Sequence, residues 1–176
     1  MEKVIAQIGR RDFMKIGAMA GLAAILPEII SCRKEEVAGL GHKFSTVVLS
    51  DIMGNKVAIP TDATGKIALI HFWASWCRTC RSEMAHLESV ANQYREQGVV
   101  TYSIGIGEKK NTATAYIENL NISYPVLLDP DSTTKKIFGI VGIPTYYVLN
   151  REGIIRFKIY GEADESKWDQ IIGTII

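Results

Sequence analysis

Apolar residues along this chain of 176 residues follow two spacings, and each spacing predicts a different kind of element. A nearly continuous apolar run covers residues 67–74, which is typical of a strand buried on both faces of a parallel or mixed sheet. After the run, apolar residues recur at alternating intervals of four and three and mark one face of a helix that ends near Gly98. The apolar face carries Cys80, Met84, Leu87, Ala91 and Tyr94, and the polar side carries Glu83, Glu88, Arg95 and Glu96.

Further elements are predicted on both sides of this strand and helix. Upstream, two short strands at residues 44–50 and 56–59 flank a Gly-Asn turn and form a hairpin. Downstream, strands and helices alternate, which implies right-handed crossover connections. These elements are a strand at 99–106, a helix at 112–120, a strand at 125–128, a helix at 132–138, a hairpin of strands at 145–149 and 154–160, and a terminal helix at 164–175. The pattern predicts an α/β fold in which helices flank a central mixed sheet that carries an N-terminal hairpin extension.

The first 31 residues are interpreted as an export signal. Arg10 and Arg11 are followed by an uncharged stretch, residues 16–27, that is shorter than the ~20 apolar residues needed to span a bilayer. The segment from Gly9 to Lys15 resembles the twin-arginine pattern used to export folded proteins. An arginine pair within a general secretory signal is the alternative interpretation, because the two signal types share their layout.

Cys32 is predicted to carry a lipid. The sequence Ile29-Ile30-Ser31-Cys32 resembles a bacterial lipobox, although a consensus lipobox has Leu at the first position and a smaller residue at the second. The polar residues that follow would hold a lipidated cysteine near the membrane surface. A spare cysteine in a disordered tail is the alternative. We therefore divide the chain into a signal (1–31), a polar tether (32–43) and a folded domain (44–176).

Composition indicates one globular domain and argues against nucleic acid as a partner. The chain is 47% hydrophobic and 22% charged, which is ordinary for a globular protein. Its formal net charge is +1, and from Cys32 onward acidic and basic residues balance. A domain without a basic run lacks the charge that phosphate binding requires.

Cys77 and Cys80 form a C-x-x-C pair at the junction of the buried strand and the helix, which predicts redox chemistry. Cys77 is expected at the helix N-terminus, where unpaired N–H groups and the helix dipole favour a thiolate. The cations of Arg78 and Arg81 would lower the pKa of this thiol further. Cys80 lies one turn later on the apolar side, so we expect it to be shielded and to resolve a mixed disulfide.

Half of a zinc site is the structural alternative for this pair. Tetrahedral zinc would need two further ligands, but the chain has no second C-x-x-C, and His42, His71 and His86 are scattered along it. We expect His71, within the buried strand, to be a hydrogen-bonded core residue and His86 to face solvent. No metal or other cofactor is predicted, and the redox group is the Cys77–Cys80 pair itself.

Residues 72–84, Phe-Trp-Ala-Ser-Trp-Cys-Arg-Thr-Cys-Arg-Ser-Glu-Met, resemble the active-site segment of the TlpA/ResA-like branch of the thioredoxin superfamily. The likeness extends over roughly residues 40 to 176 and implies a thioredoxin-like fold. It further implies an extracytoplasmic thiol-disulfide oxidoreductase of the bacterial cell envelope that reduces protein disulfides, often in support of cytochrome c maturation. The expected partners are protein thiols or disulfides and an upstream membrane thiol reductant, and we expect a monomer.

The resemblance implies further site residues. Ile143-Pro144 matches the family's cis-proline loop, which lies against the cysteine pair and can bind an extended substrate; a trans proline opening an ordinary strand is the alternative. Glu83 stands where the family carries an active-site acid, and a solvated glutamate on the helix surface is the alternative. Trp76 is expected to form a substrate-facing wall, and Trp73 to pack. We also assign Arg78, Thr79 and Ile143 to substrate contact.

Two departures from the family leave the direction of electron flow open. Many relatives have proline at the position of Thr79, between the cysteines, and proline at the position of Ala85. The residues between the cysteines tune the stability of the disulfide relative to the dithiol, so an oxidase or isomerase remains an alternative. A thioredoxin-fold copper carrier is another, although such carriers use C-x-x-x-C with a distant histidine. The P-x-x-x-T-x-x-C context of peroxiredoxins is absent.

Overall fold

The computed structural model describes residues 39–176, so the predicted signal and Cys32 lie outside the described part of the chain. Residues 39–176 form an α/β fold in which helices flank a mixed sheet, as predicted. The seven strands are β1 (Val47–Asp51), β2 (Lys56–Ile59), β3 (Ile67–Trp73), β4 (Val99–Ile106), β5 (Val126–Asp129), β6 (Thr145–Leu149) and β7 (Ile155–Tyr160). The four α-helices are α1 (Arg78–Tyr94), α2 (Lys110–Ile117), α3 (Thr133–Ile137) and α4 (Glu165–Gly173). Within residues 39–176, no helix is both long and apolar enough to cross a bilayer.

The sheet has the strand order β2-β1-β5-β4-β3-β6-β7. The central strands β3, β4 and β5 run parallel to one another, whereas the β1–β2 hairpin and the β6–β7 hairpin attach antiparallel at the two sides. β3 pairs with β4 on one edge and with β6 on the other. All seven of its residues are buried, because a packed core covers each face of the sheet. This double burial explains the continuous apolar run in the sequence.

Alternate residues of β3 point into two separate cores. Ile67, Leu69 and Trp73 pack with the apolar face of α1 and with α4 on one side of the sheet. The opposite side is filled by a second set of buried residues that includes Phe72 and Phe138. Cys77 and Cys80 belong to the first core, so the cysteine pair is built on the packed side of α1.

Several predicted boundaries are shifted in the structure. The first strand begins at Val47 and not at residue 44, because the Phe44 amide donates to the Gly153 carbonyl and is bound outside the β1–β2 ladder. The second helix covers 110–117 and not 112–120, since Glu118 leaves the helical conformation and Asn119 has φ of 67°. The segment before the predicted domain start also pairs with the domain, because the Gly41 amide donates to the Ile155 carbonyl over 2.9 Å.

Candidate active site

Cys77 and Cys80 form a disulfide at the point where β3 gives way to α1. Cys77 is the N-cap of α1, and its sulfur accepts a hydrogen bond of 3.2 Å from the Cys80 amide. Cys77 is 6% exposed, whereas Cys80 is completely buried. The Cys80 N–H that donates to the Cys77 sulfur favours a thiolate there, and access to solvent is confined to Cys77. The geometry therefore suits an attacking Cys77 and a shielded Cys80.

The loop that leads into Cys77 is held at both ends. The Ser75 amide donates to Glu108 Oε1 over 2.7 Å, and the Cys77 amide donates to the Ala74 carbonyl over 3.0 Å. The Tyr116 hydroxyl donates to the Cys77 carbonyl over 2.7 Å. The backbone around the reactive sulfur is thus bound by side chains from the segments that follow β4.

Arg81 is directed towards α2. Its guanidinium donates to the carbonyl oxygens of Tyr116 and Glu118 at the end of α2, and its carbon lies 5.5 Å from the centre of the Tyr116 ring. These contacts cap the last turn of α2 and attach it to α1. Arg81 therefore has a structural role in addition to any effect of its charge on the cysteine pair.

The residues predicted to contact substrate lie at the surface beside the cysteines. Trp76 is 77% exposed, and Arg78 and Thr79 are also exposed. Thr79 Oγ1 lies 3.7 Å from the Cys77 sulfur, at the outer limit of a hydrogen bond to sulfur. A large exposed indole of this kind is typical of surfaces that contact other molecules.

Pro144 follows a cis peptide bond with Ile143, as the resemblance implied. The register of the sheet pairs Thr145 with Phe72, so this loop lies at the carboxyl end of β3, the same edge at which Cys77 follows. Val141, three residues before the proline, is 85% exposed. The cysteine pair and the proline loop are therefore brought to one edge of the sheet, with exposed apolar side chains on both.

Glu83 is buried, which makes two predictions wrong: its place on the polar side of α1 and the alternative of a solvated surface glutamate. It is 4% exposed, and Oε2 accepts hydrogen bonds from the Tyr146 hydroxyl at 2.6 Å and from the Ala163 amide at 3.1 Å. Oε1 lies 3.6 Å from Nδ1 of the exposed His86. Burial and the hydrogen bond to Glu83 both raise the pKa of Tyr146, so this hydroxyl remains a donor. The cost of burying the carboxyl is offset by these two donors.

His71 is a fully buried core residue, as expected. Its Nδ1 lies 2.9 Å from Ser103 Oγ, and its ring stacks on Tyr146 with centroids 4.8 Å apart. Burial lowers the pKa of His71 to about 3, so the imidazole is neutral near pH 7. Among the residues that the structure describes, no group of three His, Cys, Asp or Glu side chains is arranged to hold a metal ion.

Sequence reasoning missed Glu108, Tyr116 and Tyr146. A sequence signal existed for Glu108, because it follows β4, and the carboxyl ends of parallel neighbours such as β3 and β4 meet at one edge of the sheet. An acid at that position is close to any site that follows β3. No comparable signal marks the two tyrosines, because the sequence alone does not distinguish them from ordinary aromatic core residues.

Comparisons with known proteins agree with this fold. Residues 40–158 match the AhpC/TSA family. The thiol-disulfide oxidoreductase ResA of Bacillus subtilis is 26% identical over 161 residues, which cover 89% of this chain and 89% of that protein. The thiol:disulfide interchange protein DsbE of Pseudomonas aeruginosa is 36% identical over 115 residues, 65% of this chain and 62% of that protein.

A solved structure supports the fold independently. The thioredoxin domain of a thiol-disulfide oxidoreductase from Bacteroides vulgatus superposes with a TM-score of 0.70 at 22% identity, covering 78% of this chain and 99% of that domain. At this identity the likeness speaks for the thioredoxin-like fold alone. Together with the Cys77–Cys80 pair and the relatives above, it leads to one conclusion. The chain belongs to the AhpC/TSA family and is a TlpA/ResA-like thiol-disulfide oxidoreductase of the thioredoxin superfamily.

Proposed function

We propose that this enzyme works outside the cytoplasm, tethered to a membrane, and reduces protein disulfides through Cys77 and Cys80. The observation that carries the proposal is the asymmetry of the pair: Cys77 caps α1 and is slightly exposed, whereas Cys80 is fully buried. An attacking cysteine must reach a sulfur of the partner protein, and a resolving cysteine must be kept from doing so. The two environments support this division of tasks.

The reaction proceeds in two exchanges that start from the dithiol form. The Cys77 thiolate attacks one sulfur of a substrate disulfide, so that a mixed disulfide forms and the other substrate sulfur leaves as a thiolate. The Cys80 thiolate then attacks the Cys77 sulfur, which releases the second substrate sulfur and forms the Cys77–Cys80 disulfide. Two electrons pass from the enzyme to the substrate, and an external thiol reductant must restore the dithiol.

Glu83 is our candidate for handling the proton of Cys80. It lies one helical turn from Cys80, is almost completely buried, and is oriented by Tyr146. Cys80 must lose a proton before it attacks, and bulk water has no direct access to a fully buried thiol. A buried carboxyl on the same helix can accept that proton.

The substrate is a protein chain in an extended conformation. Trp76 and Val141 are exposed apolar side chains at the end of the sheet that carries the cysteine pair, and the half-buried Ile143 precedes the buried Pro144 in the same loop as Val141. An extended segment can bind there by backbone hydrogen bonds while its disulfide faces Cys77. Arg78 and Thr79 complete the exposed rim.

The proposed location follows from the sequence of the N-terminal segment. Residues 1–31 are proposed to direct export, and Cys32 to carry the lipid that holds the enzyme in the bacterial cell envelope. A membrane thiol reductant is then the proposed source of electrons, and apocytochrome c is a proposed substrate because the TlpA/ResA-like resemblance favours it. Labelling with a radioactive fatty acid tests the anchor. We expect label in the wild type and none in the Cys32→Ala variant, and label in both would contradict lipidation at Cys32.

Trapping tests the roles of the two cysteines. In the Cys80→Ala variant we expect substrates to accumulate as mixed disulfides with Cys77, because the second exchange is blocked. The Cys77→Ala variant should lose both trapping and turnover in insulin reduction, and Cys32→Ala serves as a matched control that keeps the exchange. Full exchange activity in Cys77→Ala would show that the assignment is wrong.

The reduction potential of the pair tests the direction of electron flow. Equilibration of the purified enzyme with glutathione buffers should give a potential below that of the glutathione couple for a reductase. A potential near that of strong oxidants such as DsbA, ~−120 mV, would instead assign an oxidase. Stoichiometric copper together with failure to reduce insulin would assign a metal carrier.

A further inference from the structure

Glu108 is a buried residue whose carboxyl group accepts a hydrogen bond from the loop that precedes Cys77. It is 4% exposed and stands between the end of β4 and the start of α2. Oε1 accepts the Ser75 amide over 2.7 Å, and Ser75 lies two residues before Cys77. The proposed function uses Cys77, Cys80 and Glu83 and leaves this second buried acid without a role.

The space for Glu108 is created by a glycine. A Cβ on Gly105 would lie 2.9 Å from both Cβ and Cγ of Glu108 and 3.1 Å from Trp73 Cζ2. Gly107, with φ of 73°, allows the turn that returns the chain, and the Glu108 amide faces the Gly105 carbonyl at 3.4 Å. The side chain is therefore packed against the β4 backbone and held towards the loop.

The same loop is also bound at Cys77 by a tyrosine. The Trp73 ring stacks on Tyr116 with centroids 4.8 Å apart, and the Tyr116 hydroxyl donates to the Cys77 carbonyl over 2.7 Å. Glu108 and Tyr116 therefore bind the backbone on either side of Trp76, at Ser75 and at Cys77. With both bonds formed, the loop presents the Cys77 sulfur in one position.

No Lys, Arg or His side chain lies within ion-pair distance of the Glu108 carboxyl in the described part of the chain. The one ion pair within residues 39–176 is that of His86 with Glu83, formed when His86 is protonated. Burial raises the pKa of Tyr116, and the Arg81 charge opposes this rise. Electrostatic repulsion from Glu108 raises the same pKa further, so Glu108 interacts with the tyrosine that binds the Cys77 backbone. A buried negative charge disfavours a second negative charge nearby, whereas the N-terminus of α1 favours it.

We propose that Glu108 is a positioning residue for Cys77, in which the carboxylate holds the Ser75 amide and its charge restrains ionisation of the Cys77 thiol. The proposal rests on Cys77 being the attacking cysteine. A less acidic attacking thiol stabilises the disulfide relative to the dithiol, which makes the couple a better reductant. Glu108 thus offsets part of the stabilisation of thiolate that the helix N-terminus provides.

Three variants of the full chain separate position from charge. Glu108→Ala removes both the acceptor and the charge, Glu108→Gln keeps an acceptor oxygen and removes the charge, and Glu118→Gln is a control that removes an exposed charge at the end of α2. The reduced enzymes are reacted with iodoacetamide from pH 4 to pH 10, which gives the pKa of the Cys77 thiol. Insulin reduction at a pH well above that pKa gives the reactivity of the thiolate.

Glu108→Gln should lower the pKa of the Cys77 thiol by roughly 0.5–1 unit relative to wild type, because a nearby negative charge is lost. Its insulin reduction should stay within about threefold of wild type, whereas Glu108→Ala should lose about tenfold through misplacement of the loop. Glu118→Gln should match wild type in both measurements.

An unchanged Cys77 pKa in Glu108→Gln overturns the proposed charge effect, and this isosteric variant keeps that test available if Glu108→Ala does not fold. Equal insulin reduction by Glu108→Ala and wild type overturns the positioning role. Either result would leave the proposed roles of Cys77 and Cys80 untouched. Failure of the proposed function would instead appear as exchange activity that survives in Cys77→Ala. The two failures are therefore distinguishable.

Discussion

Replacing Tyr146 with Phe removes the hydroxyl that orients the buried acid of the site. The donor and acceptor oxygens of the Tyr146–Glu83 bond are 2.6 Å apart. Tyr146 is 1% exposed, so water cannot take the place of the lost hydroxyl. Hydrogen bonds to charged groups contribute about 1.5–3 kcal/mol, and the Ala163 amide would be left as the remaining bonded donor to Glu83 Oε2. We expect Tyr146→Phe to lower the free energy of unfolding by about 2 kcal/mol.

Urea unfolding of the oxidised enzyme at pH 7 measures this loss. Tyr124→Phe is the matched control, since the Tyr124 hydroxyl donates to a neutral acceptor on the same helix, the Met84 carbonyl, over 3.0 Å. We expect the control to lose about 1 kcal/mol. A double-mutant cycle with Glu83→Gln should give a coupling between the two positions of about 1 kcal/mol or more.

Two results would refute the reasoning. Equal losses in Tyr146→Phe and Tyr124→Phe would mean that the acceptor is not charged in the folded enzyme. A coupling near zero would mean that the hydroxyl and the carboxyl contribute independently, and Glu83 would then be oriented by the Ala163 amide.

Three further outcomes are expected. Because burial lowers the pKa of His71 from 6.5 to about 3, the unfolded chain binds a proton between these pH values that the folded chain does not. The free energy of unfolding should therefore decrease as the pH is lowered through this window, by up to about 1.4 kcal/mol per pH unit. His71→Asn should show a shallower slope in urea unfolding, and equal slopes would contradict the reasoning. Gly105→Ala should lower the free energy of unfolding by about 1–3 kcal/mol in thermal unfolding, because its Cβ would overlap Glu108. Gly173→Ala places its Cβ in open space and should not destabilise the protein. Equal melting temperatures of the two variants would refute the overlap. Trp76→Ala should change stability by less than about 0.5 kcal/mol yet raise KM for insulin, and an unchanged KM would remove Trp76 from the substrate surface.

The sheet was predictable because its signals are local. The run 67–74 reads as a doubly buried strand, and the periodic residues after it read as a helix, so the position of Cys77 at the junction followed from neighbours in sequence. The boundary errors at residues 44–46 and 118–120 have another origin. A strand ends where its ladder partner ends, and a helix ends where a tertiary contact or a left-handed residue stops it.

Helical periodicity placed Glu83 on the polar side of α1, and this was wrong for a physical reason. Periodicity reports the average polarity of a helix face, whereas one carboxyl can be buried only where hydrogen-bond donors from other elements bind it. The donors to Glu83 are the Tyr146 hydroxyl and the Ala163 amide, 63 and 80 residues away in the chain. No local pattern carries that information.

The redox pair could be located without the fold, since two cysteines three residues apart after a buried strand place a thiol at a helix N-terminus. The burial and the hydrogen-bond partners of the two acids near the pair depend on the folded chain. Glu108 meets Ser75 across 33 residues because β3 and β4 are parallel neighbours that end at the same edge of the sheet. Glu83 is buried because β6 and the segment before α4 cover α1. The hydrogen-bond partners of these acids are distant in sequence and meet them only in the folded chain, so local sequence patterns do not predict them.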